Sequence, residues 1–232
     1  MKKIGIIGAM ELEVDTLKSR LQERKTTEKA SMTFEEGKLN DTDVVIVRSG
    51  IGKVNAGCCV QILIDDFHVT HIINTGVAGS LRAEIDIGDI VVSKDALYHD
   101  MDVSPLGYER GVIPQMDTSI FAADGKMIEE AVASCKKTCP DISVFTGRVV
   151  SGDQFIGDRA VKDGITAKFD GYCCEMEGAA IAHASHLNKT PFVILRAISD
   201  KADNSAEMDY PTFERKAAEH CAKLVEELVA RL

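Results

Sequence analysis

No stretch of this sequence approaches ~20 consecutive apolar residues, so nothing in it reads as a membrane-spanning helix. Positive charge is also scarce. Lys and Arg number 27 against 37 Asp and Glu, a net charge of -10. A broad nucleic-acid or anionic-membrane surface needs the opposite balance. A nucleoside carries no phosphate, so that class of small ligand survives the exclusion. No CxxC occurs among the seven cysteines, whose odd number includes the adjacent pairs Cys58-Cys59 and Cys173-Cys174. Neighbouring cysteines rarely bridge, which implies reduced thiols and a cytoplasmic protein. Met1-Lys2-Lys3 imitates the start of a signal peptide, but Glu11 and Glu13 cut the apolar run short. Internal repeats, low-complexity tracts and Pro/Gly/Ser linkers are missing as well. With 45% hydrophobic residues, the chain is expected to form a single domain over residues 1–232.

Two phosphate-binding signatures are incomplete. Gly5-Ile6-Ile7-Gly8 has glycines three apart and is followed by Met10 and Glu11, so G-x-G-x-x-G is not met. Glutamates there would repel a pyrophosphate, which argues against NAD. Ser49-Gly50-Ile51-Gly52-Lys53-Val54 has a Gly-Lys pair but not P-loop spacing.

Apolar, β-rich runs are present at residues 3–8, 44–48, 71–75, 88–93, 144–150 and 191–198. Helical periodicity lies between several of them: Val14, Leu17 and Leu21 share a face, as do Val54, Cys58 and Ile62. Near the end, Phe213, Ala217, Cys221, Leu224 and Leu228 do the same. Strands alternating with helices predict an α/β fold in three layers, a central sheet between helices. Two short strands around Asn40-Asp41 predict a hairpin, so the sheet is mixed.

The carboxylates stand at the mouths of these strands. Glu11 and Glu13 follow the first, Glu175-Met176-Glu177 opens a helix-like stretch, and Asp200 ends the last. Ligands of open α/β sheets bind at the carboxyl ends of strands, so three distant acidic segments can converge on one pocket. An acid and a base so placed suit cleavage of a glycosidic bond. The Gly-rich turns 49–54 and 74–79 let backbone amides approach a ligand and read as pocket walls. After the strand ending at Val150, Phe155 can stack on a flat base while the Ile156 backbone reads its edge. His183 and His186 have helical spacing with no acidic or cysteine partner at ligand spacing, so they read as helix histidines. No metal and no cofactor is implied.

Gly-Ala-Met-x-x-Glu at 8–13, Ser-Gly-Ile-Gly-Lys-Val at 49–54 and Asn-Thr-Gly-x-Ala-Gly at 74–79 follow one another along the chain. Ser-Gly-Asp-x-Phe-Ile at 151–156, Glu-Met-Glu at 175–177 and Arg-Ala-Ile-Ser-Asp at 196–200 complete the series. In this order the motifs resemble the 5′-methylthioadenosine/S-adenosylhomocysteine nucleosidases, over nearly the whole chain. The resemblance implies a nucleoside phosphorylase-like fold and hydrolysis of the N-glycosidic bond, releasing adenine. It makes Asp200 the acid that protonates adenine N7 and Glu13 the base that activates water. It makes Glu177 the ligand of the ribose hydroxyls, with Met176 against the ribose, Phe155 and Ile156 on adenine, and Gly79, Val77 and Ile51 in the binding wall. Arg196 and Ser199 would orient Asp200. In an extended stretch Glu175 and Glu177 point the same way, so the choice of Glu177 rests on the resemblance.

The chain departs from the family pattern at Val77, where relatives often carry serine, and at Leu106, where a relative offers an aromatic. In the family the loop holding Val103, Leu106 and Pro114 closes over the partner's 5′-alkylthio site, which implies a homodimer. Three alternatives stay open: an aminodeoxyfutalosine nucleosidase, a purine nucleoside phosphorylase, and a non-enzymatic nucleoside sensor.

Overall fold

A computed structural model describes residues 2–203 and 205–232, without the side chains of 207 and 208. Its strands are β1 (Lys3–Gly8), β2 (Gln22–Lys29), β3 (Met32–Leu39), β4 (Thr42–Arg48) and β5 (His71–Ser80). They continue as β6 (Ile90–Tyr98), β7 (Phe121–Ala122), β8 (Val144–Ser151), β9 (Cys173–Glu175) and β10 (Phe192–Asp200). The helices are α1 (Asp15–Ser19), α2 (Lys53–Asp65), α3 (Gly125–Thr138), α4 (Arg159–Phe169), α5 (Gly178–Leu187) and α6 (Ala206–Arg231).

Each apolar run of the sequence has become a strand of one mixed sheet. β1 lies parallel to both β4 and β5, and β10 is parallel to β5 but antiparallel to β6. β6, β8 and β9 run parallel, and β9 returns to β5 antiparallel. Five strands therefore form a closed circuit, β5-β10-β6-β8-β9, while β1, β4, β3 and β2 extend it as an open wing. Every residue of β10 is buried, as expected of a strand covered on both faces.

The predicted hairpin joins β3 and β4. Asn40 and Asp41 both have left-handed φ, 49° and 63°, the two-residue turn whose twist matches its strands. β2 escaped the sequence reading because Gln-Glu-Arg-Lys-Thr-Thr-Glu-Lys has no apolar alternation. It is an exposed edge strand, and its charges discourage pairing with another chain.

Helices cover both faces, giving the expected three layers. One core packs α2 and α5 against the sheet through Ala56, Val60, Leu63 and Ile181. The other packs α1, α3 and α6 through Leu17, Ala131, Leu224 and Leu228. The face expected for α2 is corrected: Val54 is 77% exposed and Cys58 is exposed, while Ala56, Cys59, Val60 and Leu63 face the core. This helix is apolar on two sides, so periodicity alone supports either face. All seven cysteines are free, and among the described residues no helix is long and apolar enough to cross a membrane.

Candidate active site

A cavity of about 310 Å³ opens at the carboxyl ends of β1, β5, β8 and β10. Of the residues predicted from sequence, Glu13, Ile51, Val77, Gly79, Phe155, Ile156, Met176, Glu177, Ser199 and Asp200 line it. The three acidic segments do converge. Arg196 lies behind the wall, and Val103, Leu106 and Pro114 do not reach this chain's own cavity. Met10, Glu175 and Tyr210 are further lining residues.

Glu13 closes a short 3-10 turn, Glu11–Glu13, directly after β1. Its Oε2 accepts the N–H groups of Ala9 and Met10 at 2.7 and 2.9 Å, and Oε1 accepts that of Val77 at 3.1 Å. Burial pushes its pKa up, against the pull of nearby Arg196 and of these amides. A Cβ on Gly76 would stand 2.5 Å from Oε1, so glycine there makes room for the carboxylate. Glu11 instead points outward to Lys18, at 2.7 Å. The register of the first motif thus selects Glu13.

Both carboxylates of the Glu-Met-Glu segment line the cavity, but they are engaged differently. Glu175 is paired with Arg196 and Ser151, and it accepts the N–H groups of Glu177 and Gly178 at 3.1 and 2.7 Å. Glu177 accepts the N–H of Gly52 at 2.7 Å. Burial, then the neighbouring charge of Glu175, pushes Glu177 up to about 8.

Asp200 ends β10 after a bulge between Ile198 and Asp200, which shifts the register against β5 and aims the carboxyl into the cavity. Ser199 Oγ donates to Oδ2 at 2.9 Å and the N–H of Ala202 to Oδ1 at 2.7 Å. Burial raises its pKa, these two bonds oppose the rise, and Asp209 and Asp203 add to it. The Cβ that Gly79 lacks would sit 2.8 Å from Oδ1. Ser199 is thus hydrogen-bonded to Asp200, whereas Arg196 makes no bond to it. Its guanidinium turns to Glu175 and to Asn74 Oδ1, 2.5 Å away.

Phe155 is 52% exposed and meets Tyr210 edge to face, with ring centroids 5.7 Å apart. Tyr210 in turn donates to Met10 Sδ at 3.3 Å, completing an apolar arc at the cavity. Sequence reading missed Tyr210 because the polar stretch before Pro211 reads as a loop, whereas α6 already begins at Ala206. Outside the site, His183 stacks on Phe121 with centroids 4.6 Å apart and meets the Tyr98 hydroxyl at 3.2 Å.

A carboxyl whose pKa is raised on folding binds its proton more tightly folded than unfolded. Its stabilisation is present below the unfolded value and is lost as pH rises through the folded one. For Glu177 the window runs from the ordinary 4.5 to about 8. Glu177→Gln lacks this loss, so its Tm relative to wild type is expected to rise between pH 5 and pH 9. Melting curves whose separation stays constant with pH contradict the assignment.

The chain matches the phosphorylase superfamily over residues 3–230. It is 40% identical over 233 residues to the 5′-methylthioadenosine/S-adenosylhomocysteine nucleosidase of Chromohalobacter salexigens, covering 100% of this chain and 98% of the relative. Superposition on the Neisseria meningitidis nucleosidase, solved with methylthio-immucillin-A, gives a TM-score of 0.96 at 37% identity with both chains covered 100%. The futalosine hydrolase of Helicobacter pylori superposes with a TM-score of 0.94 at 29% identity, covering 100% of this chain and 98% of that one. The chain belongs to the 5′-methylthioadenosine/S-adenosylhomocysteine nucleosidase family of the phosphorylase superfamily.

Proposed function

We propose that this protein hydrolyses the bond between adenine and ribose C1′ in 5′-methylthioadenosine and S-adenosylhomocysteine. The products are adenine and 5-methylthioribose or S-ribosylhomocysteine. The observation that carries the reading is a buried acid, Asp200, facing the same cavity as the carboxylates Glu13 and Glu177. As the bond stretches, the ribose gains positive charge and the purine gains electrons. Asp200 delivers a proton to adenine N7, and Glu13 takes one from the attacking water. Glu177 accepts from the ribose hydroxyls, Phe155 stacks on the base beside the Ile156 backbone, and Met176 packs on the sugar. The test is release of adenine from 5′-methylthioadenosine, S-adenosylhomocysteine and aminodeoxyfutalosine in turn. Turnover confined to aminodeoxyfutalosine would favour an aminodeoxyfutalosine nucleosidase. Tight binding without turnover of any of them would favour a nucleoside sensor.

The same reading makes the protein a cytoplasmic homodimer whose partner completes each pocket. Ile51, Val54 and Leu106 are 55%, 77% and 74% exposed, apolar side chains that water disfavours unless a surface covers them. Val103, Leu106 and Pro114 would then close the 5′-alkylthio end of the neighbouring cavity and exclude water there. Leu106→Asp is expected to weaken dimerisation and raise KM for 5′-methylthioadenosine together, because one surface serves both. A fully active wild-type monomer at micromolar concentration in sedimentation contradicts it.

A further inference from the structure

Glu13, Glu175 and Glu177 are 4%, 8% and 7% exposed, and Arg196, buried at 2%, is the cation that acts on all three. Three buried carboxylates around one guanidinium cannot all ionise cheaply, because like charges at close range in a poorly solvated site repel. Geometry decides which of them gives up its charge. Glu175 touches the guanidinium directly and also accepts from the Ser151 hydroxyl. Its Oε2 takes the N–H groups of Glu177 and Gly178 at the start of α5, where the helix dipole favours an anion. Ser151 Oγ extends the cap by accepting the N–H of Ala179 at 2.7 Å. Glu13 has three backbone amides, whereas Glu177 has the single amide of Gly52.

We infer that Glu175 is a positioning residue, whose fixed negative charge commits Arg196 and the first turn of α5 and leaves Glu177 holding a proton in the free enzyme. Other titratable groups facing this cluster are Tyr98 on β6, His99 just after it, the thiols Cys173 and Cys174 on β9, and Tyr210 and Cys221 on α6. Burial lowers the pKa of His99 and raises those of the three thiols and both phenols, so each favours its neutral form. The proton on Glu177 comes from solvent and returns to it as pH rises. A protonated Glu177 donates one hydrogen bond, while the ionised form accepts from two neighbouring hydroxyls. Its bearing on catalysis rests on the reaction proposed above, in which a ribose gaining positive charge favours the ionised form.

The experiment is a pH titration of the ligand-free protein carrying ¹³C at the glutamate carboxyls, followed by NMR. One resonance, absent from Glu177→Gln, is expected to titrate at about 8 in wild type. In Glu175→Gln, which keeps an acceptor for the α5 amides but drops the charge, that midpoint should fall by about one unit or more, a tenfold loss of proton affinity. Glu175→Asp keeps the charge and should leave the midpoint high. A wild-type midpoint in the ordinary carboxylate range overturns the inference, as does an unchanged midpoint in a folded Glu175→Gln. Should Glu175→Gln fail to fold, the wild-type and Glu175→Asp titrations decide it. No substrate is present, so the outcome is independent of whether adenine is ever released.

Discussion

Asp200→Asn is expected to lower kcat for 5′-methylthioadenosine by at least about 10²-fold while KM changes little. Asparagine keeps the shape, and its carboxamide oxygen can still accept from either Ser199 Oγ or the Ala202 amide. What it lacks is a proton to give to the leaving purine. Burial raises the pKa of Asp200 and outweighs the two hydrogen bonds that favour its anion, so the proton is held to higher pH than in a free aspartic acid. The same reasoning fixes a pH dependence. Wild-type kcat should fall as pH rises through the raised pKa of Asp200, and this limb should vanish in the variant. Turnover at the wild-type rate would remove Asp200 from the acid role.

Glu13→Gln is expected to bind substrate and lose hydrolysis, again by about 10²- to 10⁴-fold in kcat. Glutamine keeps the size of Glu13, and its one oxygen can accept the Ala9 and Met10 amides, leaving the Val77 N–H without its acceptor. It cannot take a proton from water. Glu11→Gln is the internal control: Glu11, itself half exposed, pairs with the buried Lys18 outside the cavity, and glutamine can still accept from that ammonium. If Glu11→Gln proved the damaging substitution, the placement of the base would be wrong.

Those assignments were legible because they sit where strong local patterns end. The runs that became β1 and β10 are apolar enough to announce buried strands, with Glu13 just beyond the first and Asp200 at the carboxyl end of the second. Elements with weak periodicity were not legible. β2 is all polar and β9 spans only Cys173–Glu175, while α2 was legible as a helix but not in its buried face, because it is apolar on two sides. The roles of Glu175 and Glu177 could not be separated by spacing, because the decision lies in long-range partners: Arg196 and Ser151 for one, Gly52 for the other. Arg196 was misplaced for the same reason. The family resemblance placed Arg196 beside Asp200, and alternation would put residues four apart on one face, but the bulge between Ile198 and Asp200 breaks that alternation and Arg196 bonds Asn74 and Glu175 instead. Tyr210 reaches the cavity from a helix that crosses back over the sheet, a contact with no local signature.

Phosphorolysis shares this fold and would use the same acid, so the nature of the attacking group is the central claim. The cavity is lined by the buried carboxylate Glu13, which suits an attacking water and opposes an anionic phosphate. The most direct measurement is the sugar product formed from 5′-methylthioadenosine in parallel reactions with and without inorganic phosphate. Free 5-methylthioribose at equal rates in both is the predicted result. Formation of 5-methylthioribose 1-phosphate, with adenine release that depends on added phosphate, would contradict it.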